Sequence, residues 1–405
     1  MSIDNSKNHM PITLSQKQIQ QITWTLLLLM PIIGMTVDLI APSLPAIARG
    51  LQVSNHAAKN AISIYLLGYA LGNFFTGFLA DAWGRQKLMR INLAGFVLVS
   101  LLPIVSPRIE TLLLSRLLQG ITIGAVAVTA RATFSDILEP QQLIRLGTLI
   151  GTMWGLGPVI GPILGGYLQT YFGWKAGFYF FALISLIGFI ATYFIVPETH
   201  FNRHPLRIKT IKKNLTEIFK HPLFMALVIL MGLAYSLLIV FNTMGPFLIQ
   251  SVLHYSPLVF GHFALSLGLL FLLSTFVCRY LLKRYEVNKL FFVVINSALL
   301  ITIILFGITL FFKNNMIVIA VSSGVMFFTC GCLFPTSMGK GISLFRHIAG
   351  TASATMYLIN ILITSLLSLL VSFINVQNFI SLISVYFSLI VGCALLYWCI
   401  IRKTA

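Results

Sequence analysis

One carboxylate lies deep inside an apolar run of a 405-residue chain that carries only nine Asp and Glu residues. Asp38 stands in Met30-Pro-Ile-Ile-Gly-Met-Thr-Val-Asp38-Leu-Ile-Ala-Pro42-Ser-Leu44-Pro45, within a run that begins near Ile22. About 20 apolar residues at ~1.5 Å each cross the hydrocarbon of a bilayer, and an ionised side chain near its middle costs at least about 2.5 kcal/mol. Asp38 is therefore paired, protonated or both. The one basic residue well inside a run is Arg116, in Thr111-Leu-Leu-Leu-Ser-Arg116-Leu-Leu-Gln119-Gly120. At ~1.5 Å per residue, Asp38 lies about 12 Å and Arg116 about 9 Å from the outer ends of their runs. Opposite charges at matching depth attract strongly in a low dielectric, so the two are expected to meet. A carboxylate and a guanidinium that move relative to one another can hold and release a proton. Asp38 is then the proton-carrying group and Arg116 the residue that sets its affinity; a static ion pair ordering two spans is the plain alternative.

The runs that position these residues dominate the composition. Hydrophobic residues make up 58% of the chain and charged ones 9%, with a mean hydropathy of +0.94. A soluble domain is about a quarter charged, so the chain reads as an all-α integral membrane protein. Twelve apolar runs, near 22–46, 61–80, 88–106, 111–131, 143–167, 175–196, 222–248, 258–280, 288–311, 315–338, 348–372 and 379–401, predict twelve transmembrane helices. The one long polar connection, 198–221, divides them into six-span bundles at 22–197 and 222–401, with tails at 1–21 and 402–405. The polar first 20 residues contain Lys7 and Lys17 and no small-residue cleavage site, so the first run is expected to be retained rather than removed as a signal peptide.

The formal net charge of +18 is mostly topology. With a cytoplasmic N-terminus, only Arg49, Lys59, Arg108, Lys175 and Lys313 of the 27 Lys and Arg residues fall in outward loops, and only Arg116 inside a run. Both termini and the 198–221 linker are thus expected in the cytoplasm, with the linker an amphipathic segment held by anionic lipid, and nucleic acid is not needed as a partner. Cys278, Cys330, Cys332, Cys393 and Cys399 lie in or at the ends of apolar runs, which leaves no extracellular disulfide framework. Cys330 and Cys332 point to different helix faces and lack companions at metal-ligand spacing, so no metal site is expected. No Gly-x-x-x-x-Gly-Lys-Ser/Thr loop for ATP occurs, and the scattered acidic residues do not assemble an enzyme site near one membrane face.

The two bundles repeat one another. Asp38-x-x-x-Pro42-x-Leu44 recurs as Asn242-x-x-x-Pro246-x-Leu248, and Gly120 as Gly324. The charges are not kept: Asp38 becomes Asn242 and Arg116 becomes Ala320. Tyr65 and Tyr69, four apart in the second run, can stack an aromatic substrate or simply pack; with Asn242 they are the candidate cavity residues.

Several motifs carry a family resemblance. Gly77-Phe-Leu-Ala-Asp81-Ala-Trp-Gly84-Arg85-Gln-Lys87, between runs two and three, resembles the signature loop of the major facilitator superfamily. Arg116-Leu-Leu-Gln119-Gly120-x-x-x-Gly124 is similar to its second motif. The glycine-dense fifth run, where Gly147, Gly151 and Gly155 precede Gly157-Pro158-Val-Ile-Gly161-Pro162-Ile-Leu-Gly165-Gly166, permits close helix approach on two faces and resembles the motif that marks antiporters that export. Asp38-x-x-x-Pro42-x-Leu44-Pro45, Ala130-Arg131-Ala132-x-x-x-Asp136, Gly173-Trp174-Lys175 and Pro197-Glu198-Thr199 together resemble the Bcr/CflA group of drug:proton antiporters.

That resemblance implies a major facilitator fold, two pseudo-symmetric six-helix bundles around a central cavity, in which Asp81 and Arg85 latch the bundles on the cytoplasmic side. It implies a monomer of the inner membrane that exports small organic molecules against proton entry, with the proton as coupling ion and no cofactor. One departure bears on cargo. Relatives with a second carboxylate one or two turns before the Asp of span one have a route to cationic drugs; here the region reads Leu-Leu-Leu-Met30-Pro31, which counts against avid transport of lipophilic cations. Export of one endogenous metabolite, such as a siderophore or an amino acid, is the alternative.

Overall fold

A computed structural model of the chain describes residues 14–200, 208–311 and 315–404. The described residues form helices joined by short turns, with no strand among them.

Span one is not the uninterrupted helix expected over 22–46. Helix α1 (Gln16–Met35) starts earlier because Ser15 and Gln18 form a reciprocal capping box. It stops at Met35. Residues 36–40 form a turn, Ala41–Ser43 a single 3-10 turn, and α2 (Leu44–Gly50) completes the crossing. Pro42 and Pro45 cannot donate into a continuing helical ladder, so the chain restarts around them. Asp38 sits in the interruption, a place where backbone groups and a carboxylate can be served from neighbouring helices.

The remaining spans are α3 (Asn55–Trp83), α4 (Arg85–Val105), α5 (Ile109–Ile137), α6 (Pro140–Phe172) and α7 (Ala176–Ile195) in the first half. After α8 (Ile208–Phe219) in the linker, the second half has α9 (Pro222–Pro246), α10 (Pro257–Leu281), α11 (Val287–Phe311), α12 (Met316–Leu344), α13 (Ala349–Ser372) and α14 (Phe379–Leu396). Among the described residues, eleven helices or helix runs are long and apolar enough to cross a membrane unaided, and α3 is not one of them. At 29 residues α3 reaches across nonetheless, and its polar positions Lys59, Asn60 and Asn73 turn toward protein rather than lipid. With α3 counted, twelve crossings among the described residues put the start of α1 and the end of α14 on one face, here called the terminal face; the opposite is the far face.

The repeat is visible in the backbone. Beyond Pro246, the counterpart of Pro42, α9 widens into a π-helical turn over Phe247–Val252. The end of the linker packs on protein: Ile218 of α8 is fully buried with Phe224, Met231, Phe345 and Met356 of the second half, and Glu217 meets His347 at 3.0 Å. The basic residues Arg203 and Arg207 lie outside the described residues.

Candidate functional site

Span five sets the surroundings of Asp38. Gly157, Gly161 and Gly165 of α6 face the broken first span, where an added Cβ would collide with the backbone at Gly34 and Leu39 and with the Asp38 side chain. On another face of the same helix, Gly166 lies against the Pro257 carbonyl of α10. The two small-residue faces therefore serve both halves at once: one lets α6 cradle the interruption of span one, the other brings α10 close across the half interface. Pro158 and Pro162 lie inside α6 without ending it. Gly151 has open space beside it, and the Gly147 side-chain position lies outside the described residues.

Asp38 is 2% exposed and accepts a hydrogen bond of 2.7 Å from Nδ2 of Asn242, itself 2% exposed. The two residues that correspond in the repeat, 204 positions apart, thus touch each other across the half interface. Asp38 and Arg116 do not pair. Arg116 is completely buried, and its guanidinium donates to the Ala61 carbonyl at 3.1 Å, to Gln119 Oε1 at 2.8 Å and to the Thr36 carbonyl at 3.1 Å. Tyr65 lies beneath it, 4.3 Å from ring centroid to guanidinium carbon. Depth reasoning brought Arg116 to the level of Thr36, two residues before Asp38. Azimuth separated them: Asp38 faces the second half, while Arg116 faces the carbonyls of α3 and of the span-one turn.

Arg116 is therefore a rivet. Its planar fork satisfies acceptors from three spans at once, including the Thr36 carbonyl that the interruption frees from helical pairing. Gln119 is held in turn by Ser100 Oγ at 2.8 Å. Of the candidate cavity residues, Tyr65 is engaged with Arg116, and Tyr69 stacks on Tyr65 at 6.2 Å. Toward the terminal face, Trp154 of α6 and Tyr235 of α9 approach to 6.3 Å across the halves, and Tyr235 continues to Phe334 at 5.6 Å. This aromatic run is a wall that sequence reasoning missed, since single aromatics in apolar spans give no signal until the helices are packed.

The loop between α3 and α4 turns at Gly84 with φ of +94°, a conformation that favours glycine. Its neighbours come from the end of span six. One carboxylate oxygen of Glu198 accepts from the backbone N–H groups of Arg85 at 2.9 Å and of Thr199 and His200 at 3.0 Å, so an anion caps the start of α4. Arg85 Nε meets Asp136 Oδ2 at 3.3 Å, and Thr199 Oγ1 donates to the same oxygen at 2.8 Å. These contacts of Arg85 lie within the first half. Gly77 is exposed and borders open space. Asp81 falls within α3, and its side chain lies outside the described residues.

The halves are joined at the far face. Gln250 donates to the Pro42 carbonyl at 2.8 Å, Ser63 to Ser368 at 2.9 Å and Ser365 to the Ser63 carbonyl at 2.8 Å. His56 meets Ser372 at 2.9 Å, and Lys59 Nζ donates to the Ile374 carbonyl at 2.7 Å. Lys59 corrects the loop assignment made from charge: it is 1% exposed, in the second turn of α3. Ser54, whose side chain caps α3, was the available signal that the helix begins early enough to include it. Toward the terminal face, Arg131 stands 5.0 Å from the Tyr357 ring across the halves and donates to Asn73 at 2.8 Å.

Comparison with known proteins agrees with this architecture. The model of the Major Facilitator Superfamily matches residues 26–366. An uncharacterized MFS-type transporter, YdgK of Bacillus subtilis (strain 168), is 26% identical over 354 residues, covering 85% of this chain and 87% of its own. A bicyclomycin resistance protein homolog of Haemophilus influenzae is 27% identical over 244 residues, 60% of this chain and 61% of its own. The multidrug resistance protein MdtL of Shewanella sp. (strain ANA-3) is 24% identical over 330 residues, 78% and 80% of the two chains. Among solved structures, a D-xylose-proton symporter superposes with a TM-score of 0.76 at 15% identity over 94% of this chain and 97% of its own, a likeness of fold.

Proposed function

Because the chain belongs to the Major Facilitator Superfamily, and is thus a transporter rather than an enzyme, we propose that it exports small organic molecules across the bacterial inner membrane by alternating access, driven by proton entry. The observation that carries this reading is the hydrogen bond between Asp38 and Asn242. It places a titratable group at the interruption of span one, in contact with the opposite half, where a change of protonation acts on the contact between the halves. The printed names of relatives in multidrug and bicyclomycin resistance favour efflux.

In this reading both termini are cytoplasmic, the working unit is a monomer, and the described state is closed toward the outside. As an anion, Asp38 accepts from the Asn242 amide and helps draw the halves together. When the cavity opens outward, Asp38 takes a proton, its attraction for the amide weakens and cargo leaves. When it opens inward, the proton departs and the anion returns. Arg116 acts on this cycle through position rather than direct pairing. By holding the Thr36 carbonyl it fixes the turn that presents Asp38, and it keeps a positive charge at the depth of that turn. Tyr69, Trp154, Tyr235 and Phe334 offer an apolar aromatic wall for cargo, with Asn242 as its polar contact. Asp81 and Arg85 belong to the cytoplasmic latch; in the described state Glu198 and Asp136 engage Arg85 within the first half.

Proteoliposomes with an imposed pH gradient test the proposal. Bicyclomycin, other uncharged or weakly basic drugs, and amino acids are offered singly, and uphill movement is followed against a collapsed gradient. Export of at least one drug that stops on collapse is expected. Movement of amino acids alone would assign the protein to metabolite export instead, and gradient-independent movement would remove the proton from the cycle.

A further inference from the structure

Lys59 is a lysine buried where the two halves meet, and neither the proton cycle nor the cargo wall uses it. Its ammonium sits at the C-terminal end of α13, donating to the Ile374 carbonyl at 2.7 Å, with the Phe247 ring of the second half 5.4 Å away. A helix C-terminus attracts a cation, and an aromatic face adds to that attraction. The group has three donors, however, and one described hydrogen bond. Among the described residues no carboxylate lies within ion-pair distance of it. The groups packed around it are neutral or weakly basic: His56 one turn earlier on α3, stacked on Phe373 at 4.2 Å, Asn60, Ser372 and Phe247. When the halves part at the far face, the ammonium regains its full water shell.

We infer that Lys59 keeps the far-face gate openable: by placing an incompletely compensated ammonium in the closed contact between α3 and α13, it holds the closed and open states near balance. The inference rests on the alternating-access reading and adds to it the residue that sets the gate's equilibrium. The neighbouring contacts, Ser63 with Ser368 and Ser365, and His56 with Ser372 and Phe373, favour closure and are typical of a packed interface. Lys59 opposes them, because a buried charge with partial partners is often less stable than an apolar side chain of similar size. The gate contact is therefore expected to tighten when the charge is removed, the reverse of what a simple latch predicts.

Accessibility of a cysteine behind the gate measures this without substrate or gradient, so a failed transport assay and a failed gate inference remain distinguishable. Ser368→Cys is built in a Cys399→Ser background, because the other four cysteines are buried. The rate of its modification by a membrane-impermeant methanethiosulfonate added at the far face is then followed in oriented vesicles. Lys59→Met is expected to slow modification about tenfold, and Lys59→Arg to leave it within about threefold of the wild-type rate, since charge is what matters. Modification of Tyr357→Cys from the terminal face should not fall in Lys59→Met; a merely damaged fold would accelerate both. An unchanged far-face rate in Lys59→Met overturns the inference, and a faster one overturns it and makes the lysine a latch. If that variant does not fold, Lys59→Gln decides on the same criterion, because it removes the charge and keeps an amide N–H to donate to the carbonyl.

Discussion

The two halves repeat a single helical plan but divide the labour unequally. The first half buries Asp38 and Arg116 at its interruption and Lys59 at the far face; at the corresponding places the second half has Asn242, Ala320 and Phe263. Both halves keep the proline that disturbs the span, Pro42 and Pro246, and both deviate from α-helix beside it. The irregular backbone is thus common to the two repeats, whereas ionic chemistry belongs to one. The second half supplies a neutral amide donor, an aromatic surface and a helix end, against which the charges of the first half act. In the proposed cycle one titratable carboxylate at the interface would suffice for coupling, since its partner across the axis, Asn242, is a neutral amide.

Abolishing the charge on the active side should have the largest effect. Asp38→Asn is expected to fold, because an amide can still meet Asn242, and to lose gradient-driven export by about a hundredfold or more while retaining exchange; general proton-transfer contributions are of order 10²–10⁴. Uphill, pH-driven export in that variant would return Asp38 to a structural role.

Arg116→Ala comes next and reads out in stability. It strands the Thr36 carbonyl and Gln119 Oε1 in a dry site, at about 1–3 kcal/mol for each unsatisfied group, so a lower melting temperature and loss of folded protein in detergent are expected. Arg116→Lys should recover only part of it, because a single ammonium cannot reproduce the fork. An Arg116→Ala protein as stable as wild type would show that the rivet is dispensable.

Making the halves alike is a subtler test. Asn242→Asp sets two carboxyls in contact, which cannot both ionise at close range, so the pair retains a proton to higher pH than Asp38 alone. The pH profile of export should move to the alkaline side, with roughly a tenfold loss at neutral pH from impaired proton release. An unmoved profile would mean that the 2.7 Å contact is not made in the working cycle.

The smallest effect is expected in the loop network. Glu198→Gln removes the anionic cap from α4, and a surface cap of this kind contributes about 0.3–1 kcal/mol. Turnover should fall by no more than about threefold, with insertion unchanged. A collapse of activity would assign Glu198 to the latch itself.

Several features were legible in the residues alone. Apolar runs of spanning length foretold an all-helical chain of membrane-crossing helices. Gly84, in the polar stretch between runs two and three, sits at a turn with positive φ, and the glycine spacing of span five announced two close-packed faces. Composition and local stereochemistry act through nearest neighbours in the chain, so no partner helix had to be known.

Depth belonged to the same class: at a fixed rise per residue, counting along a span placed Arg116 level with the start of the Asp38 turn. Direction did not. A span apolar on nearly every side has no strong amphipathic stripe to say which face turns inward, so only packing could reveal that Asp38 meets Asn242, that Arg116 holds carbonyls, and that Lys59 lies inside the protein. The sequence by itself determined the apolar spans and the confinement of their charges to the first half; the interruption of span one, expected as one continuous run over 22–46, emerged only in the folded chain. The tertiary structure alone decided which groups those charges touch, because azimuth and contact arise only when helices distant in sequence close against one another.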